Sequence, residues 1–327
     1  MFSQKNGLLF KDLCIDPSRK PSHNRVVISH AHSDHVSLSK ESSFFATKET
    51  ADLVRARYPE KKADLHALEY GEKKKFDDYE MTLKPNGHIL GSSQILLSCD
   101  GRDYGVTSDF RLHDSLLFKG AEPMKCETLV LETTFGAPAY VFPPYEKTAE
   151  EMVSWIRECS KKGLVLLAGY SLGKAQELTR VSNDAGFVPL VHEKIFEMNE
   201  IYGKHGVKLG KYERLDHNLK DHSVLIMPPQ LVDRHLFSTL EHFDKRKIFS
   251  ALATGWGHRG YFDRIFPLSN HADYSDLMSY AEQASPKLIL TDHGFCEDFA
   301  RKLNRKGFNA KPLEHHKQRL MSEFAGE

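Results

Sequence analysis

The sequence predicts an α/β protein on three observations. The first third is rich in strand-like runs. The middle alternates short apolar strands with helical stretches, and the C-terminal part adds further strand–helix pairs. Parallel strands need a crossover between them, usually a helix, so this alternation is how a parallel sheet is written in sequence. In order, strands are expected over 26–29, 80–84, 94–99, 104–107 and 128–131, with Asn86-Gly87 and Asp100-Gly101 as turn signals between them. A helix follows near 146–161, a strand over 164–168, a helix near 173–183, a strand over 188–191 and a helix near 193–204. Strand 224–227, a helix near 230–242 and strand 248–252 continue the alternation. Strands 264–268 and 288–291, with helices near 274–284 and 296–306, end it.

A chain of 327 residues is long enough for one large core or two moderate ones. Its 45 Lys and Arg balance 45 Asp and Glu, so no global basic signature marks it as a passive polyanion binder. The cluster Lys73-Lys74-Lys75 reads equally as a solvated strand edge or a phosphate contact. The 5 cysteines are odd in number, widely spaced and without C-x-x-C, so neither a zinc ribbon nor a disulfide framework is indicated. Reduced thiols, no signal-peptide-like start and no run near the ~20 apolar residues of a membrane span lead to the expectation of a cytoplasmic protein that does not enter the membrane.

Residues 30–35 read His-Ala-His-Ser-Asp-His, directly after the apolar run Val26-Val27-Ile28. Imidazole plus carboxylate is the donor set that borderline divalent metals prefer, zinc above all. On a turn, His30 and His32 can face one ion while Asp34 and His35 reach a second. Each ion needs about four donors, and the chain offers more at expected strand ends: His88 in GHILGSSQILL, Asp109, His271 in SNHAD and His293 in DHG. Gly87 and Gly91 would let the backbone pass close to an ion. A lone histidine is ordinarily a core or surface residue. His or Asp recurring past strand ends is what a site at one sheet edge produces.

The order H-x-H-x-D-H, then His, Asp and His resembles the metallo-β-lactamase fold hydrolases. Three further strings narrow the resemblance to the β-CASP nucleases: Leu131–Gly136 (LETTFG), SNHAD at His271 with DHG at His293, and GKAQE at 173–177. It covers residues from about 8 to 313, and within the branch it looks most like bacterial ligase-associated DNA exonucleases and mRNA 3′-end processing factor-like exonucleases. The resemblance implies a metallo-β-lactamase αββα sandwich, residues 1–136 and 263–327, with an inserted β-CASP-like parallel α/β domain, 137–262. It implies two Zn2+ ions, with Mn2+ as a substitute. His30, His32 and His88 would hold one, Asp34, His35 and His293 the other, and Asp109 would bridge them. Asp16 would orient a ligand histidine, and His271, paired with Glu132, would be the general acid. The implied activity is DNA exonuclease action in repair, with a nucleic-acid partner, DNA before RNA, and a DNA ligase and helicase nearby. Two features depart from the pattern. His293 is usual in RNA-cleaving members, and SDF at 108–110 stands where many relatives show GD.

GYSLGKAQEL at 169–178 has its own reading. Ser171 would cap a helix beginning near Gly173, and backbone N–H groups with Lys174 and Gln176 would receive a phosphate of the polymer. An ordinary capped helix fits the same residues. In Gly255-Trp256-Gly257-His258-Arg259, Arg259 would hold a phosphate beside a stacking Trp256, and core packing of the tryptophan fits the same residues. RNA processing, small-molecule hydrolysis and a metal-free scaffold are the competing functions.

Overall fold

The computed structural model describes residues 2–215, 219–257 and 260–313. Its α/β chain divides into two compact units. One comprises 1–114, 118–141 and 271–327, and the other 115–117 and 142–270.

The first unit is layered. Strands β1 (Phe2–Gln4), β2 (Leu8–Phe10), β3 (Leu13–Ile15), β4 (Arg25–Val27), β5 (Ser43–Thr47) and β6 (Asp64–Leu68) form one sheet in sequence order. Helix α1 (Lys48–Arg57) packs on β5 and β6, its start capped by Thr47 Oγ1, which accepts from the Thr50 N–H. A second sheet takes β7 (Lys73–Lys75), β8 (Glu80–Pro85), β9 (Ser93–Cys99), β10 (Arg102–Val106) and β11 (Thr128–Glu132). Alternation sorts the second sheet's side chains. Val130 joins Phe10, Leu13, Val27, Met81 and Ile95 between the sheets. Leu129 and Leu131 point to the other face, among Leu277, Tyr280, Phe299 and Leu303.

The second unit is one sheet in the order β14-β13-β15-β12-β16-β17: β12 (Gly163–Ala168), β13 (Leu190–Val191), β14 (Glu213–Arg214), β15 (Val224–Met227), β16 (Lys247–Ala253) and β17 (Arg264–Phe266). Every pairing in it is parallel. Helices α2 (Tyr145–Cys159), α3 (Lys174–Asp184) and α4 (Glu193–Lys204) cover one face, and α5 (Arg234–Asp244) the other. Central β12 is buried along its length because both faces are covered, which is why it reads as an unbroken apolar run. In α2 the buried Ala149, Met152, Ile156 and Cys159 recur every three to four residues.

The chain then returns to the first unit with α6 (Tyr274–Ala284), β18 (Leu288–Asp292), α7 (Cys296–Arg305) and β19 (Ala310–Pro312). Strands β18 and β19 extend the second sheet beyond β11. The strand expected with this C-terminal part over 264–268 pairs with β16, so it belongs to the second unit. No helix among the described residues is long and apolar enough to cross a membrane.

Candidate metal centre

Strand direction explains how distant residues meet. Strands β8 and β10 are both antiparallel to β9 and so run the same way, while β10, β11 and β18 are mutually parallel. Their C-terminal ends lie along one edge of the sheet. His88 follows β8, Asp109 follows β10, Glu132 ends β11 and His293 follows β18. In the first sheet β3 and β4 are also parallel, so Asp16 and His30 leave that sheet at a common edge. His271 differs from expectation. It stands just before α6 rather than past a strand of its own sheet, and the Ala272 N–H holds it beside Asp109 by donating to the Phe110 carbonyl at 2.6 Å.

Four side chains converge tightly. His30 Nε2 lies 3.1 Å and His88 Nε2 3.2 Å from His32 Nδ1. Asp109 Oδ2 lies 3.5 Å from His30 Nε2 and 3.9 Å from His88 Nε2. One proton on His32 Nδ1 could serve only one of two facing nitrogens, whereas a cation serves all three. Metal–nitrogen bonds of ~2.0–2.1 Å place tetrahedral ligand atoms roughly 3.3–3.4 Å apart, close to what is found. Burial, joined by His35, His88 and His32, holds the His30 ring well below the usual histidine range, so it is neutral as a ligand must be.

The second half is more open. His35 Nε2 faces Asp109 Oδ2 at 3.4 Å and Asp34 Oδ2 at 3.7 Å. The rings of His35 and His293 stack at 5.7 Å. Burial works against charge on His35, but Asp109 and Asp34 outweigh it and raise its pKa well above the usual value. The Asp292 carboxylate, against burial, raises His293 to about 9. Both rings present one nitrogen to a carboxylate, His35 Nδ1 to Asp16 Oδ2 at 3.1 Å and His293 Nδ1 to Asp292 Oδ2 at 3.2 Å. Carboxylates in that position fix the tautomer of metal-ligating histidines. Burial opposes the Asp109 charge, yet His35 and His271 hold its pKa well below the carboxylate range.

Asp16 sits with His30 and His35 in a group compact enough to hold an ion itself. Its oxygens are already taken. Oδ1 accepts from the Ser29 N–H at 2.7 Å, and Oδ2 accepts from Ser29 Oγ at 2.6 Å and Ser108 Oγ at 2.7 Å. These bonds hold the carboxylate in place beside His30 and His35. Glu132 is held similarly: it accepts from the Phe110 and Thr134 N–H groups and meets His271 Nδ1 at 3.1 Å.

Sequence reasoning missed several residues that build this edge. The Asn86 carboxamide donates to the Thr107 and Asp109 carbonyls and accepts from the His88 N–H, tying together the strand ends that carry His88 and Asp109. Arg57 donates to the Ala31 carbonyl within the histidine loop. Asp16, Ser108 and His293 have φ of +48°, +49° and +61°, a region non-glycine residues seldom occupy and one that gathers at functional sites. The glycines beside His88 answer a different need from the one expected. A Cβ on Gly87 would come within 2.6 Å of the Lys119 carbonyl, and one on Gly91 within 2.5 Å of the Thr50 nitrogen, so they admit neighbouring protein backbone.

In the second unit the helix expected near 173 begins at Lys174, with Gly173 as its N-cap and not Ser171. The Ser171 carbonyl accepts from Gln176 Nε2, while Gln176 Oε1 accepts from the Gly173 N–H at 2.6 Å and its amide also donates to Asn199. Lys174 Nζ is paired with Glu177 at 3.0 Å, the two side chains 6% and 2% exposed. Gln176 and Lys174 are therefore internal members of the fold, and the expectation of a lysine presented to a phosphate does not hold. Lys174→Ala should then cost about 3–5 kcal/mol, the price of leaving a buried charge with its pair broken. Chemical denaturation would read this, and Lys174→Met with Glu177→Leu should recover most of it; a single-variant midpoint unchanged from wild type would contradict the pairing. Arg259 lies outside the described residues.

No protein-family model matches the chain. It is 34% identical over 300 residues to a protein named "Probable DNA ligase" from Opitutus terrae, covering 88% of this chain and 28% of that one. It is 27% identical to an "RNase J-like protein" from Methanocaldococcus jannaschii, over 49% of this chain and 43% of that one. A "Transcription termination factor FttA" from Methanothermobacter thermautotrophicus is 28% identical over 60% of this chain and 36% of its own length. The chain thus spans less than half the length of these relatives. A crystal structure of a protein of unknown function from Enterococcus faecalis superposes with a TM-score of 0.65 at 15% identity, over 90% of this chain and 80% of that chain, a likeness of fold.

Proposed function

We propose that this chain, which belongs to the β-CASP metallo-β-lactamase family, is a two-metal phosphodiesterase that cleaves nucleic-acid strands, foremost as a DNA exonuclease. The convergence of His30, His32 and His88 on one point beside Asp109 carries this reading. Bound divalent cations, zinc before manganese, would supply a water-derived nucleophile at neutral pH and neutralise charge building on the phosphate. The rest is work for the chain's own side chains. His30, His32 and His88 would hold one ion, and Asp34, His35 and His293 the other, with Asp109 between them. Asp16 and Asp292, which face Nδ1 of His35 and His293, would favour the tautomer that leaves Nε2 for the ions. Glu132 anchors the His271 ring through Nδ1, so His271 would hand a proton from its other nitrogen to the departing oxygen.

A relative with "DNA ligase" in its name, matched over most of this chain, supports DNA as the polymer and a role beside a ligase in repair. RNA cleavage is the second reading, favoured by the RNase J-like relative and by His293 beside His35. Digestion of end-labelled single- and double-stranded DNA and RNA with added zinc or manganese separates the two. Stepwise loss from one DNA end is expected, and degradation of RNA alone would reverse the order. Protein purified without chelator should carry two divalent ions per chain by elemental analysis. Folded protein that holds none and takes up none on reloading would remove the metal reading altogether.

A further inference from the structure

The cluster behind the ligand histidines holds a residue with no assigned task. Ser108 is buried, adopts φ +49° and immediately precedes Asp109. In this region the Cβ of an L-residue crowds its own backbone, so a serine there needs a compensating contact. Its hydroxyl supplies one. Ser108 Oγ, Ser29 Oγ and Asp16 Oδ2 form a triangle with sides of 2.6, 2.6 and 2.7 Å. The carboxylate only accepts, so Ser29 Oγ donates to it, while the Ser108 proton is shared between Asp16 Oδ2 and Ser29 Oγ. Ser29 Oγ is then left to accept from His30 Nδ1, 2.9 Å away. That fixes the proton of His30 on Nδ1 and the lone pair on Nε2, the atom that faces His32 and Asp109. Asp16 Oδ2 also faces His35 Nδ1, so the same triangle reaches the second half of the site.

We propose that Ser108 is a positioning residue whose hydroxyl closes with Ser29 on Asp16 and thereby sets His30 as an Nε2-presenting ligand. This rests on the metal-centre reading above. Ser108 would also couple Asp109 to the histidines, since the left-handed turn at Ser108 determines where the next side chain points.

Two variants separate hydroxyl from backbone. Ser108→Ala removes the hydroxyl and keeps the Cβ; Ser108→Gly removes the hydroxyl and relieves the backbone. Zinc affinity of the full chain, measured by competition with a chelating indicator, should fall about 10–100-fold in both, as when partners behind metal ligands are lost. The ion-free Tm of Ser108→Gly should equal or exceed that of wild type, because glycine accepts positive φ. A Ser29→Ala, Ser108→Ala double variant should lose less affinity than the product of the single losses, because both hydroxyls act through one carboxylate. Nitrogen NMR of the ion-free protein should show His30 protonated on Nδ1 in wild type and a mixture of tautomers in Ser108→Ala. Zinc affinity within about twofold of wild type in both Ser108 variants would overturn the proposal, as would unchanged His30 tautomers. A wild-type protein that binds no zinc would instead overturn the metal-centre reading beneath it.

Discussion

Replacing Asp109 by alanine is expected to bring phosphodiester cleavage to background while the protein stays folded. Asp109 Oδ2 faces His30 at 3.5 Å, His35 at 3.4 Å and His88 at 3.9 Å, so this carboxylate touches both halves of the centre. Its loss would release both ions at once and remove the negative charge that balances the surrounding rings. The rate should fall by at least the ~10²–10³ seen when one group stabilising transition-state charge is deleted. Fold should survive because the sheet edge is tied by the backbone at this position: the Asp109 carbonyl still accepts from Asn86. Circular dichroism and metal analysis would accompany the assay. A variant with near wild-type rate and full metal content would remove Asp109 from the site.

His271→Ala should slow cleavage by about 10²–10⁴, the range for loss of a general acid, without stripping the metals. His271 has its Nδ1 on the buried Glu132, and its ring meets the His88 ring at 4.6 Å, which sets it against the edge of the ligand cluster. Asp109, Glu132 and His271 are close enough to form a ligand group of their own, so the distinction needs measurement. With a nitrophenyl phosphodiester, whose leaving group departs without a proton, the defect should shrink toward unity. Metals lost together with His271 would make it a ligand. An equal defect on good and poor leaving groups would make it a positioning residue for substrate.

Much of the second unit was legible because its strands and helices carry their own periodicity. The strand at 224–227 and the helix at 193–204 stand where expected. The first unit was harder. Strands β1 to β3 have three residues each, too few to show a period of two. In β5, α1 and β6 the pattern is also faint in sequence, and the Thr47 cap with the buried Ala51, Leu53 and Val54 is the signal that marks the helix.

By itself the sequence determined the α/β class and the residue types of the site. Both are local: alternation needs only neighbours in the chain, and His30, His32, Asp34 and His35 are linked by one turn. Tertiary structure alone decided three other matters. The 264–266 strand has no mark of its sheet, and hydrogen bonding to β16 assigns it. Lys174 looks like a phosphate-binding cation until packing buries it against Glu177, because charge in a sequence does not reveal solvent access. Ser108 looks like an ordinary residue beside a ligand until a left-handed turn carries its hydroxyl to Asp16, 92 positions away, and to Ser29. Long-range hydrogen bonds of this kind depend on which strand ends share an edge, and only the folded sheets decide that.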